Sequence, residues 1–266
     1  MIPKIIHYCW FGHNPKSELI LRCIESWKKF CPDYEIKEWN ESNYDINKIP
    51  YISQAYREKK YAFVSDYARF DILYRYGGVY FDTDVEVIKS LDKILEKPFA
   101  GVEHPGALNA GLGLASPAAN PIYREILDDY EKRQFLKSDG TQDLTTVVEI
   151  VSNIFRKYGL TEKSEIQNIS GIMVYPAEYF SPKDFKTHKL NITENTYTIH
   201  WYDASWFDDV MKTVWDYRRK VSQKIKNRKV IDFLVHLYSL KQRFKFYGPK
   251  ETIKYYMKLL KRRIQQ

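Results

Sequence analysis

The chain has 266 residues, 44% hydrophobic, 16% aromatic and 29% charged, a mixture that excludes disordered, collagen-like and coiled-coil classes and can bury the core of one large domain with an appendage. Its net charge of +8 is unevenly spread. Residues 212–266 hold 17 of the 42 Lys and Arg and 3 of the 34 Asp and Glu, a net of +14, which leaves −6 on residues 1–211.

Three cysteines, Cys9, Cys23 and Cys31, are too few and odd in number for a disulfide framework, and none stands in a CxxC pair. The first residues lack the basic region and long apolar run of a signal peptide, and no apolar stretch approaches the ~20 residues of a membrane span. A cytoplasmic chain that does not cross a membrane is expected.

Residues 4–10 read as a buried strand, 17–30 as a helix with apolar positions at Leu19, Ile20, Cys23, Ile24 and Trp27, and 34–39 as an alternating, half-exposed strand. This strand, helix, strand opening is that of an α/β sheet. A helix is predicted over 61–76, stopped by Gly77-Gly78, then a short strand over 79–81 that runs into Asp82-Thr83-Asp84. Strands follow at 99–103 and 110–115, helices at 121–133 and 144–158, and strands at 172–175 and 196–200. The expected division is a catalytic domain over 1–207 and a basic amphipathic helical tail over 208–266.

Asp82 and Asp84 carry the sharpest chemistry. Two carboxylates at i and i+2 after a buried strand project near its C-terminal edge, where open α/β sheets bind ligands. Such oxygen donors suit Mg²⁺ or Mn²⁺, which keep positions open for substrate phosphates. A DxD tripeptide alone is also what a solvated turn looks like. The preceding helix changes the balance, because Asp66 and Arg69 share a face of a segment whose Ala62, Phe63, Phe70, Leu73 and Tyr74 make it apolar over much of its circumference. A polar ligand accounts for them better than a surface ion pair does.

Four segments occur in order: Ile2-Pro3-Lys4-Ile5-Ile6-His7-Tyr8-Cys9-Trp10, Ser65-Asp66-Tyr67-Ala68-Arg69, Tyr76 through Asp84, and His200 through Trp206. Together they resemble the glycosyltransferases with a DxD sugar-binding region, the family 32 group of initiating α-mannosyltransferases and capsular-polysaccharide enzymes, over about residues 1–207. The resemblance implies a GT-A fold, an α/β nucleotide-sugar-binding sheet with a divalent metal (Mn²⁺ or Mg²⁺) at a central strand. It implies that Asp82, Asp84, Asp66 and Arg69 are the catalytic set. Asp84 and Asp82 would serve the metal, with His200 completing the shell and Asp203 as the competing ligand. Trp10 would lie beside the base, Asp66, Arg69 and Asp82 at the sugar and ribose, Asn109 near the donor sugar, and Ser205 and Trp206 over the diphosphate. Gln142 and Asp143 read either as a helix cap or as sugar contacts.

The implied reaction is retaining transfer of a hexose from a nucleotide sugar, UDP-sugars favoured, to a glycan or lipid-linked acceptor in surface polysaccharide synthesis. A non-catalytic nucleotide-sugar-binding protein and a nucleotide-sugar hydrolase are the alternatives. Front-face attack is preferred, and Glu103 is the one candidate nucleophile. The basic tail, with aromatics interleaved, matches an anionic membrane surface, which places the protein on the inner face of the cell membrane. The other reading packs the tail helices on the catalytic domain. Nucleic acid is not an expected partner, since the acidic body would repel it.

Overall fold

The computed structural model describes residues 1–184, 189–203 and 209–264. Two compact units divide the chain: Met1–Asp184 with Lys189–Tyr202, and the remainder from Asp203 onward with 185–188.

The first unit is built on a mixed sheet. Its opening strand β1 (Ile5–Cys9) pairs in parallel with β2 (Glu35–Trp39) on one side and with β3 (Gly78–Tyr80) on the other. The sheet continues antiparallel to β7 (Leu114–Ser116) and β5 (Phe99–His104), then parallel to β9 (Ile172–Tyr175) and antiparallel to β8 (Gln167–Ile169), with β6 (Ala107–Leu108) added to β5. A separate two-stranded ribbon pairs β4 (Val85–Val87) with β10 (Thr198–His200). Period-two alternation sorts the side chains of the central strand. Val79 and the following Phe81 enter one apolar cluster with Ile6, Tyr8 and Trp27, while Tyr80 enters the other with Phe70, Tyr123 and Phe155.

Helix α1 (Glu18–Phe30) is capped by Ser17, whose hydroxyl accepts from the Ile20 amide, and it buries Ile20, Cys23, Ile24 and Trp27 as its period requires. Between β2 and the next helix the chain makes α2 (Pro50–Arg57), which was not expected: it is short, and Ile49 at its N-cap offers no side-chain cap to read. Helix α3 (Tyr61–Tyr76) is buried from Phe63 to Leu73 except at Ser65. A helix apolar all round belongs inside a protein, and α3 packs against β1 and β3 with α2 and α4 (Pro121–Glu131) beside it. Helix α5 (Val147–Lys157) and the short α6 (Ala177–Phe180) complete the unit.

The α3–β3 corner needs glycine. Gly77 and Gly78 have φ of 66° and 101°, and a Cβ on Gly78 would lie 2.8 Å from the Ile5 carbonyl oxygen and 3.0 Å from His7 Nε2. His7 itself ties β1 to the end of β2 and to the α3–β3 corner. Trp39 Nε1 can only donate, and it reaches His7 Nδ1 at 3.1 Å, so the ring proton is on Nε2, which donates to the Gly77 carbonyl at 3.0 Å. Burial lowers the His7 pKa to about 4, so the ring is neutral.

The expected strand over 110–115 is corrected. Residues 110–112 form a turn and the strand starts at Leu114, because the Gly111 carbonyl leaves the ladder to accept from the Asp82 amide at 2.9 Å. Strands β4 and β8, three residues each, carried too little periodicity to be read.

The second unit holds α7 (Asp209–Lys224) and α8 (Arg228–Ile264). Gly248, with φ of 75° and ψ of 171°, and Pro249 interrupt α8. Its second arm folds back on the first, bringing Tyr256 against His236 and Tyr255 under the Arg243 guanidinium. Tyr217 of α7 stacks on Tyr238 of α8 at 4.0 Å, and Arg218 pairs with Asp232.

Candidate active site

The chain leaves β3 at its C-terminal end through Phe81 and turns at Asp82-Thr83-Asp84, where the Val85 amide donates to the Asp82 carbonyl. Asp82 is held from two sides. Tyr80 Oη–H donates to Asp82 Oδ1 at 3.1 Å and Arg69 Nη2 reaches the same oxygen at 3.2 Å. Arg69 Nη2 also lies 2.9 Å from Asp66 Oδ1, one turn earlier on α3, and Arg69 Nε donates to the Ser65 carbonyl. The guanidinium lies over the Tyr80 ring, with Arg69 Nη1 buried and without a hydrogen-bond partner. Burial opposes the Arg69 charge, and Asp82, Tyr80 and Asp66 more than restore it, so its pKa is raised. Asp66 goes the other way. Burial, reinforced by the Asp82 charge, outweighs Arg69 and lifts its carboxyl to about 7.

Asp84 faces a different partner. The β4–β10 ribbon sets His200 opposite Val85, and His200 Nε2 comes within 3.3 Å of Asp84 Oδ1, while the Trp201 amide donates to the Asp84 carbonyl. Burial disfavours the imidazolium, but the Asp84 carboxylate, with Asp82 and Glu103, raises the His200 pKa nonetheless. His200 Nδ1 is buried without a partner.

The three expected metal ligands are therefore split, since Asp82 is drawn to Arg69 while Asp84 and His200 stand together. Among the described residues no three His, Cys, Asp or Glu side chains form a ready metal cage. The Asp84–His200 pair still fits a divalent ion that takes only two protein ligands and leaves positions for phosphate and water. One carboxylate oxygen with one imidazole nitrogen suits Mn²⁺ better than Mg²⁺. Asp203, the competing ligand, belongs to the second unit.

Asn109 donates from Nδ2 to Glu103 Oε2 at 2.9 Å, and its Oδ1 accepts from the Gly111 amide. Trp10 stands at the end of β1 in a surface pocket shared with Lys16, Glu38 and Asn40, its indole N–H donating to the Asn14 carbonyl. Ser205 and Trp206 lie outside the described residues. Gln142 and Asp143 have structural partners: Gln142 donates to Glu58, and Asp143 accepts from Thr145 and pairs with Arg133, in front of α5.

Two residues of the site escaped sequence reasoning. Tyr80 was legible in principle, since alternation along β3 turns it from the Val79 face to that of Arg69. Gly111 was not. A Cβ there would lie 1.8 Å from Asp82 Oδ2, a close approach that only the fold creates.

Residues 17–100 match the family described as glycosyltransferase sugar-binding region containing DXD motif. That match covers 84 of the 266 residues and includes Asp66, Arg69, Asp82 and Asp84. Inositol phosphoceramide mannosyltransferase 3 of Schizosaccharomyces pombe is 34% identical over 101 residues, 36% of this chain and 28% of that protein. Inositol phosphoceramide mannosyltransferase 1 of the same yeast is 28% identical over 234 residues, 80% of this chain and 68% of that protein. Among solved structures, PaToxG glycosyltransferase aligns at a TM-score of 0.45 and 22% identity, over 59% of this chain and 69% of that one. The mixed sheet of this chain carries its acidic pair just beyond an interior strand, β3.

Proposed function

We propose that this chain is a retaining, metal-dependent hexosyltransferase that moves a hexose from a nucleoside diphosphate sugar to a glycan or lipid-linked glycan acceptor in surface polysaccharide synthesis, at the inner face of a membrane. One observation carries the reading. Arg69 bridges Asp66 and Asp82 from a buried position and keeps Nη1 without a partner, and Asp84, two residues beyond Asp82, pairs with His200. A buried guanidinium donor left over is matched to ligand oxygens, and the two carboxylates around it hold its orientation.

Asp84 and His200 would hold Mn²⁺ or Mg²⁺, and the ion supplies charge neutralisation for the departing diphosphate. Arg69 Nη1 donates to a donor oxygen, Asp66 and Asp82 receive hydroxyls of the sugar and ribose, and Asn109 steadies the sugar while Trp10 flanks the base. In front-face transfer the acceptor oxygen bonds to the anomeric carbon on the face from which the phosphate oxygen leaves, and the acceptor's proton passes to that oxygen. Glu103 accepts from Asn109 and is the carboxylate a covalent route would use. A slow fluorinated donor should leave no sugar on it.

The test is nucleotide release from UDP-hexoses in Mn²⁺, with and without acceptor glycans. GDP-mannose belongs beside them because the two yeast relatives are named mannosyltransferases. Release that requires acceptor supports transfer, and equal release without acceptor marks a hydrolase. No release from any donor, with Asp84→Ala binding Mn²⁺ as the parent does, would sink the proposal. The basic second unit supports the membrane site, since anionic lipids populate the cytoplasmic leaflet.

A further inference from the structure

Charge attraction alone holds a protein at a surface without ordering it. The first arm of α8, residues 228–247, carries something more specific. Ile231, Val235 and Gln242 are buried, and with Tyr238, which stacks on α7, they follow the 4-3-4 spacing of one helix face. A second apolar row runs through Val230, Phe233, Leu237, Leu240 and Phe244 at 3-4-3-4 spacing. By helical geometry that row lies on the side away from the buried one. Leu240 is half-buried and the other four are exposed, with Phe233 at 62%, Leu237 at 47% and Phe244 at 40% of full accessibility. Among the described residues, the ring stack between α7 and α8 comes from the first row, at Tyr238.

The margins of the exposed row are basic. The same spacing sets Lys241 and Lys245 along one edge, and Lys229 and Arg243 along the other. An apolar stripe with long cationic side chains on both edges is the arrangement of a helix lying in a bilayer interface, where the stripe enters the acyl boundary and the stems of Lys and Arg reach up to the phosphates. A second copy of the chain is the poorer occupant, since two surfaces drawn from residues 212–266, of net +14, would repel. Among the described residues no helix is long and apolar enough to span a bilayer, so a flat-lying contact is the form that insertion can take in α8.

We infer that Val230, Phe233, Leu237 and Phe244 form a membrane-inserting stripe that docks this unit on an anionic bilayer, with Lys229, Lys241 and Lys245 at the headgroups. The inference rests on the membrane reading above and names the surface that performs it. Such a stripe would bring the sugar site to an acceptor borne on a lipid.

The experiment uses the full chain and vesicles of phosphatidylcholine with and without phosphatidylglycerol. An environment-sensitive fluorophore on Phe233→Cys should shift to the blue with anionic vesicles, and the same label on Lys163→Cys in the first unit should not. The native thiols Cys9, Cys23 and Cys31 are buried, which leaves the introduced one reactive. The triple variant Phe233→Ser, Leu237→Ser, Phe244→Ser should lose vesicle partition by about tenfold for each side chain withdrawn. It should keep its helicity and its rate of nucleotide release. In about 1 M salt, where screening shortens to ~3 Å, the parent should retain part of its binding and the triple variant none. Vesicle binding with no shift at position 233 would leave charge docking standing and overturn the stripe. No binding to anionic vesicles would overturn both. A dimer of the parent that the triple variant loses would assign the stripe to a second copy, and binding to RNA in place of vesicles would assign the charge elsewhere.

Discussion

Arg69 and Lys241 carry the same charge in opposite settings. Arg69 is buried in α3 with Asp66 and Asp82 within 3.2 Å, whereas Lys241 is exposed on α8 among other cations. At the first place each charge has a named partner and a direction, and at the second the charges act as a field. The energetic consequences differ accordingly. In a low-dielectric interior an unpaired ion costs several kcal/mol, so a buried network is specific and brittle. At a surface, water and salt dilute each pair, so many charges act additively and none is indispensable. The net charge of +8 hides both regimes, since it sums an acidic body, whose few buried charges depend on placement, and a basic segment, whose many exposed charges depend on number.

Substitutions at the acidic edge should therefore act individually and strongly. Asp84→Ala should reduce nucleotide release by about a thousandfold or more and should weaken Mn²⁺ binding, read by calorimetry on the folded variant. Arg69→Met should leave Asp66 and Asp82 facing each other, with a loss of about 3–5 kcal/mol in denaturant unfolding as well as loss of turnover. A variant with wild-type stability would show that the pair of carboxylates tolerates its own repulsion.

His7 sharpens the comparison from the neutral side. Its pKa of about 4 in the fold, against an ordinary 6.5, means that between those values the unfolded chain takes up a proton the folded chain refuses. Its contribution is therefore complete above about pH 6.5 and is lost as pH falls through 4, by about 3 kcal/mol over the window. Unfolding of His7→Gln measured at several pH values should show a correspondingly shallower slope there. Gly111→Ala should displace Asp82 and lower nucleotide release by about a hundredfold, since misplacement of reacting groups by about 1 Å has effects of that size. The smallest change is expected in the basic unit. Lys241→Glu with Lys245→Glu should reduce partition to anionic vesicles by about tenfold at low salt and leave nucleotide release unaltered. A larger effect on turnover than on partition would collapse the distinction between the two regions.

The sequence by itself determined the α/β opening of the chain, the all-round burial of α3, the glycine corner after it and the acidic pair beyond β3. Each of these is written in local spacing, and local spacing reports which face of an element meets apolar surroundings. It also showed the charge break near Lys212, whereas the second unit itself begins at Asp203. Only the tertiary structure decided which polar groups meet. The β4–β10 ribbon brings His200 to Asp84, the turn at 110–112 brings Gly111 against Asp82, and that closeness is what forbids a side chain there. Asp82 and Asp84, two residues apart, face different partners for the same reason. In α8 the sequence supplied apolar residues on two rows, and folding against α7 left one row covered and most of the other exposed. Periodicity is a property of one segment, while convergence is a property of registers between segments far apart in the chain, and a single sequence does not carry those registers in readable form.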